Sequence, residues 1–356
     1  MMEHDNLLTK WVIGRIEKEY KDDIALLIAV KGHATHGDGH GEVFDYYVPC
    51  TERGNGLAQT FIIDGIGHDL YPRSWERLEK SAELDEMTLV LAKAEILYAR
   101  SKEDADRFLA LQRKLEDNLA NPVFVYGKAL ERLDSAKDLY RSLAFEEKTY
   151  RARSQAGFIH HYLSAAVAFM NHSFADSALF SERQAYNSST ESRIYHCPEL
   201  ESVPDSFFEY GRCLLTCGDV RQIREVTHGL IGTTEKFVLA RKPAAVDAAR
   251  EINYQNLADW YQELSLTWRR IRFFCRVNKV EEAYRDACYL QDELLVVAEE
   301  FCLEEFNILD SFDPDALIHL ELRCDITEQA IRRIITENGA KINEYTSVAA
   351  FLDANA

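Results

Sequence analysis

Residues 24–30 read IALLIAV, a wholly apolar run between the charged residues 21–23 and a glycine-rich stretch at 31–41. A short apolar run with such borders predicts a β-strand that is buried on both faces. The stretch that follows, KGHATHGDGHG, is too polar and too rich in glycine for a helix or a strand, so we expect a loop. Residues 43–48, VFDYYV, predict a second strand, which Pro49 ends.

Further short elements are expected up to residue 120. Strands are predicted at residues 59–64, 66–71 and 94–98, and helices at residues 6–20, after Ser74 as N-cap, and at residues 102–119. The mixture of short strands and helices in this part predicts a small α/β region built around one sheet.

From residue 121 onward the sequence changes to long segments with helical periodicity, separated by short breaks. These segments are residues 155–171, 205–217, 244–275, 280–306 and 315–337. Such short connections between helices are typical of an antiparallel array. We therefore expect the α+β class, with a small mixed-sheet domain at residues 1–120 and a larger all-α helical bundle domain at residues 121–356.

Composition excludes several kinds of partner. Lysine and arginine total 41 and aspartate and glutamate total 60, so the net charge is −19, which disfavours nucleic acid. The first residues, MMEHD, do not resemble a signal peptide, and the longest apolar run has seven residues, too few to cross a bilayer. The eight cysteines are scattered and form no Cys-x-x-Cys pair. Cysteines without a disulfide framework are typical of reducing compartments. We expect a cytoplasmic protein without a membrane partner; a homodimer stays open.

The glycine-rich loop is the first candidate for a binding site, because backbone N–H groups after a buried strand can bind phosphate. It contains neither a P-loop nor a Gly-x-Gly-x-x-Gly pattern, which excludes the two commonest nucleotide-binding folds. Lys31 and Arg73 are the nearest candidate cations, with surface charge as the simpler interpretation. The loop histidines 33, 36 and 40 have three interpretations: a transition-metal site, tolerated loop residues, or an imidazole that contacts phosphate in place of a hydroxyl group.

The order of these elements resembles the nucleotidyltransferase superfamily, which includes DNA polymerase β and the aminoglycoside nucleotidyltransferases. That family places Gly-Ser or Gly-Gly after its first strand, then two carboxylates separated by one residue, then a third on a later strand. Here Gly32-His33 is followed by nine residues and the strand that carries Asp45. Asp45 matches the second carboxylate and Asp69 the third. In the helical part, residues 157–163 and 203–208 resemble segments of the kanamycin-type enzymes.

The resemblance implies a set of site residues. Asp45 and Asp69 would be catalytic and hold magnesium, while Gly32 and His33, with Lys31 and Arg73, would bind the phosphates of ATP or another nucleoside triphosphate. The family also uses a carboxylate from the helical domain as general base. The carboxylates that could supply it are Glu147, Glu182, Glu199 and Glu201.

Two positions depart from the family pattern. His33 stands where the family has serine, and Val43 stands where it has the first carboxylate. On a regular strand Val43 and Asp45 share a face and Glu42 points to the other, so Glu42 replaces the missing metal ligand only if a bulge shifts the register. Two-metal catalysis, with ions about 4 Å apart, needs such shared carboxylates.

Two functions are therefore open. The first is magnesium-dependent transfer of a nucleotidyl group, AMP from ATP, to a hydroxyl group of a small molecule or a protein. The second is an inactive nucleotide-binding or interaction module of the same fold, which includes a partner of the toxin–antitoxin type.

Overall fold

The computed structural model describes residues 2–30, 45–63, 65–176, 178–180, 200–244 and 252–355. The chain divides into two compact units, Met1–Ala248 and Ala249–Ala356. Among the described residues, no helix is both long and apolar enough to cross a membrane.

The first unit contains a five-stranded sheet. Its strands are β1 (Ile24–Val30), β2 (Tyr46–Pro49), β3 (Gln59–Ile63), β4 (Ile66–Pro72) and β5 (Ala94–Ala99). Their order is β3-β4-β2-β1-β5. β2 and β4 are parallel, with Tyr46 opposite Tyr71, whereas the other neighbours are antiparallel. This mixed sheet, followed by long helices, confirms the predicted α+β class.

The strands lie close to their predicted positions, but prolines extend two of them. Pro49, predicted to follow the second strand, is its last residue and lies opposite Ile24. Pro72 similarly ends β4, opposite Tyr47. Both occupy the last position of a strand, where the missing N–H interrupts the ladder least. Of the predicted strand at residues 43–48, the first two residues lie outside the described residues.

Two layers of helices cover the sheet. On one face, α1 (Met2–Glu19) contributes Val12 and Ile16 to a cluster with Leu27, Tyr47 and Leu70. On the other face lie α2 (Trp75–Ala82), α3 (Leu89–Ala92) and α4 (Lys102–Ala120). Ser74 caps α2 as predicted, since its hydroxyl accepts a hydrogen bond from Arg77 N at 3.3 Å.

Four more helices belong to the described part of the first unit: α5 (Pro122–Leu143), α6 (Thr149–Phe169), α7 (Phe207–Thr216) and α8 (Val220–Leu239). One hydrophobic cluster joins Leu26 and Tyr46 of the sheet with Phe108 of α4, Leu133 of α5 and Leu163 of α6. The boundary predicted after residue 120 falls between α4 and α5, and this cluster continues across it. Whether the two sides are separate domains stays a prediction.

The second unit is helical, with α9 (Tyr254–Arg276), α10 (Val280–Glu300), α11 (Ile318–Glu337) and α12 (Val348–Asn355). The helix predicted through Phe306 ends at Glu300, because Cys302 adopts a left-handed conformation with φ 52°. The Gln291 side chain then hydrogen-bonds Phe306 O and Ile308 N, both at 2.8 Å. These bonds replace those that a longer helix would have made.

Candidate active site

The two predicted catalytic aspartates lie in or beside the neighbouring parallel strands β2 and β4. Asp69 is in β4, and Asp45 immediately precedes β2. The backbone N–H of Asp45 donates to Ile28 O at 2.8 Å, although Ile28 lies opposite Tyr46 in the ladder. The bond is one residue out of the β1–β2 register, so the backbone is irregular where β2 begins.

Tyr71 brings the two acidic positions together. Its hydroxyl donates to Asp45 Oδ2 at 3.3 Å. Because side chains alternate along a strand, Asp69 and Tyr71 lie on the same face of β4. Asp45 therefore reaches toward the face that carries Asp69. Burial, together with the negative charge of Asp45, raises the pKa of Tyr71 to about 12, so this phenol stays protonated and donates at neutral pH.

Asp69 is exposed and is oriented from the edge of the sheet. Thr60 of β3 lies directly opposite it and donates its hydroxyl to Asp69 Oδ1 at 3.1 Å. Its neighbour His68 stacks on Phe61, with 5.3 Å between ring centroids. The carboxylate of Asp69 thus stands on an open surface with one oxygen held by a neighbouring strand.

Arg73, predicted to bind phosphate, is only 4% exposed. Its Nη1 lies 3.2 Å from Glu86 Oε2, and its guanidinium lies 5.6 Å from the centroid of the Tyr46 ring. Glu86 also accepts a hydrogen bond from Arg77 Nε at 2.9 Å. The positive charge of Arg73 is therefore already paired inside the protein.

The remaining predicted residues are located as follows. Lys31, Gly32, His33 and Glu42 lie outside the described residues, as do Glu182 and Glu199 among the candidate bases. Glu147 follows α5, and the backbone N–H of Glu201 donates to Asn171 Oδ1 at 2.8 Å. Within the described part of the chain, no group of three or more His, Cys, Asp or Glu side chains is placed to hold a metal ion.

Two residues of this site, Tyr71 and Glu86, were not predicted from the sequence. Tyr71 had one available signal, its position two residues after Asp69 on a predicted strand, which places both on one face. Glu86 had none, because it lies in a connection after α2 and meets Arg73 only through the turn of the chain.

No protein-family model matches the chain, and no curated protein matches it. A solved structure, that of a nucleotidyltransferase-like protein from Exiguobacterium sibiricum 255-15, is similar to it at 11% identity and a TM-score of 0.36. The similarity covers 65% of this chain and 75% of that one. A likeness at this level adds no support, so the function is inferred from the site alone.

Proposed function

We propose that this protein binds a nucleoside triphosphate with magnesium at Asp45 and Asp69, beside β2 and β4 of its sheet. It would then transfer the nucleotidyl group, AMP from ATP, to a hydroxyl group of a small molecule or a protein. The observation that carries the proposal is that Asp45, immediately before β2, is hydrogen-bonded by Tyr71 of the neighbouring parallel strand β4, which also carries Asp69. β1 ends at Val30, and its residue Ile28 lies opposite Tyr46, so the last residue described before the glycine-rich stretch lies near the start of β2.

The side chains of the site suit magnesium. Magnesium prefers hard oxygen ligands and is usually held by one or two protein carboxylates together with substrate phosphates. Asp45 and Asp69 would provide those carboxylates, and the bound ion would neutralise charge on the phosphates. Tyr71 and Thr60 each donate to one carboxylate oxygen, which fixes the orientation of both acids.

The missing first carboxylate favours the second candidate, an inactive module. Val43 has no oxygen for a metal ion, and its position corresponds to a ligand in the resembling family. An active enzyme would need Glu42 as the missing ligand, which requires a bulge between Glu42 and Asp45. The observed irregularity lies between Asp45 and Tyr46 and leaves the relation of Glu42 to Asp45 unchanged. The two candidates thus differ in the role of Glu42.

The first experiment tests nucleotide binding. Magnesium with ATP should raise the melting temperature, because a ligand that binds only the folded state stabilises it. Asp69→Asn and Gly32→Val should each reduce the shift, the second because a β-branched side chain blocks approach to the backbone. Asp117→Asn, an exposed aspartate on α4, is the matched control and should keep it. The absence of a shift with all common nucleoside triphosphates would refute the proposal.

A second experiment separates enzyme from inactive module by pyrophosphate release from labelled ATP. An active wild type that loses activity in Glu42→Gln identifies Glu42 as the missing ligand. An inactive wild type that gains activity in Val43→Asp identifies a degenerate site with an intact acceptor pocket. ATP binding without release in any variant supports the inactive module.

A cytoplasmic location belongs to the same proposal, because ATP and magnesium are available there. The seven cysteines among the described residues are all free thiols, as a reducing compartment requires. The net charge of −19 favours a small-molecule or protein acceptor over nucleic acid.

A further inference from the structure

The first unit contains a cavity of about 320 Å³ beside α5 and α6. Its wall also includes the connection after α2, at residues 84–88, and the short segment at residues 175–176. This volume lies in the range of small-molecule sites, about 300–1,000 Å³. The polar residues of the wall are Asp85, Glu86, Thr88, Arg132, His161, Tyr162 and Asp176.

Each carboxylate of this cavity already has its own partners. Asp85 Oδ1 lies 2.6 Å from the Lys128 ammonium. Glu86 is shared by Arg73 and Arg77, as described above. Asp176 is buried and accepts two backbone hydrogen bonds, from Thr88 N at 3.1 Å and from Leu89 N at 2.9 Å. These three acids are therefore satisfied without a ligand.

Arg132 differs from the acids, because none of the described residues pairs its charge. Its Nη2 donates to Leu84 O, and no carboxylate of the described residues lies within ion-pair distance. A guanidinium has five N–H donors in a planar fork that fits two oxygens of one carboxylate or phosphate. Arg132 is half-buried, so water reaches only some of its N–H groups. An anion in the cavity would accept hydrogen bonds from the others.

The residue that Arg132 holds is itself unusual. Leu84 is buried and has a left-handed backbone with φ 63°, a conformation that leucine rarely adopts. It ends α2 at a position where glycine is the common choice. Its side chain and that of Arg132 both line the cavity. Strained residues of this kind cluster at ligand sites.

The other groups around Arg132 favour a ligand with an apolar body. Burial lowers the pKa of His161, the charge of Asp176 opposes this effect, and the charge of Arg132 adds to the lowering, which favours the neutral imidazole. A neutral imidazole donates or accepts one hydrogen bond at low cost. Phe169, Ala165 and Leu84 supply apolar wall beside these polar groups.

We propose that this cavity binds a small organic oxyanion, a carboxylate or a phosphate monoester. Its oxygens would be held by the Arg132 fork, and its apolar body would pack on Phe169 and Ala165. The cavity shares Glu86 with the surroundings of the candidate active site, but neither Asp45 nor Asp69 lines it. Binding there needs neither nucleotide nor magnesium, so its test does not depend on the function proposed above.

Three probes with the same phenyl body test the proposal: benzoate, phenyl phosphate and neutral benzyl alcohol, each titrated calorimetrically into the full chain without nucleotide or magnesium. At least one anion should bind saturably at concentrations up to about 10 mM, and benzyl alcohol at least about tenfold more weakly. The tighter of the two anions identifies the carboxylate or the phosphate as the preferred group.

Variants of two wall residues, Arg132 on α5 and Ala165 on α6, locate the site. Arg132→Gln should weaken binding of the preferred anion at least about tenfold, and Arg132→Lys should give an intermediate value, because the charge stays but the fork is lost. Arg141→Gln, an exposed arginine of α5 with 80% side-chain exposure, is the matched control. Ala165→Leu fills the cavity without changing its charge and should also abolish binding. Failure of both anions to bind, or equal binding by wild type and Arg132→Gln, overturns the proposal.

Discussion

Arg73 and Glu86 form an ion pair in which Nη1 lies 3.2 Å from Oε2 and only 4% of the arginine is exposed. Arg73 follows β4 directly, and its guanidinium also lies over the Tyr46 ring. The arginine thus supports the sheet beneath the candidate site, next to Tyr71. Arg73 would therefore contribute to function by holding Tyr46 and Tyr71 in place, and not by contacting phosphate.

Glu86→Gln should lower the free energy of unfolding by about 2 kcal/mol, because it leaves the buried Arg73 charge without its carboxylate. The cost lies below that of a fully buried pair, since 25% of the Glu86 side chain is exposed. Urea unfolding followed by circular dichroism measures it. Glu79→Gln, which breaks the exposed pair with Arg107 at 2.9 Å, should cost about 0.5 kcal/mol or less. Equal effects of the two variants would show that burial of Arg73 does not matter.

Tyr71→Phe should weaken the magnesium-dependent stabilisation by ATP, because Asp45 loses the donor that orients it. The variant should also cost about 1 kcal/mol of stability, the usual value for one hydrogen bond. Tyr47→Phe is the control, since its hydroxyl bonds Asn55 O at 3.2 Å on the opposite face of the sheet. It should lose comparable stability and keep the full magnesium effect. A full magnesium effect in Tyr71→Phe would separate Tyr71 from the site.

Gly211→Ala should destabilise the protein by about 1–2 kcal/mol, although alanine normally favours a helix. A Cβ at this position would lie 2.8 Å from the His160 ring carbon Cε1. In the background of His160→Ala the cost should fall by about 1 kcal/mol or more, which a double-mutant cycle measures. Gly127→Ala, where a Cβ meets nothing within 4 Å, should instead stabilise by about 0.5–1 kcal/mol.

His160 should make the protein sensitive to mild acid. Burial lowers the pKa of this imidazole from 6.5 to about 4, and neither ring nitrogen makes a hydrogen bond of normal geometry to a described residue. The unfolded chain takes up the proton first as the pH falls. The stabilising contribution is therefore complete above pH 6.5 and disappears as the pH falls toward 4, with a total on the order of 3 kcal/mol.

Unfolding midpoints at several pH values test this behaviour. His160→Leu should flatten the dependence between pH 6.5 and 4. His228→Leu, an exposed histidine on α8, should keep the slope of the wild type. The same slope in all three proteins would assign the acid sensitivity to other groups.

Local sequence patterns predicted the elements of the sheet well. The apolar run of β1, the serine cap of α2 and the alternation around Asp69 are signals carried within a few residues. Interactions between distant residues left no such signal. Arg73 has the charge of a phosphate ligand in the sequence, and only the folded chain shows Glu86 beside it.

Helix ends and cavity walls were the other unpredicted features. Leucine at position 84 gives no indication of a left-handed conformation, because that conformation is typical of glycine. His160 and His161 are adjacent in sequence, yet one is fully buried among aromatic rings and the other faces a cavity. Periodicity assigns both to a helix and cannot separate these environments.

The two hydrogen bonds from Thr88 and Leu89 to Asp176 also determine when this part of the chain finishes folding during its synthesis. The ribosome makes the chain from its amino end, so all five strands are complete well before Asp176 is added, 88 residues after Thr88. In the meantime the two N–H groups depend on water. The part of the chain that carries the sheet therefore reaches its final form only after α5 and α6 have been made. In a chain cut short of residue 176, rapid amide exchange at Leu89 would reveal the missing carboxylate.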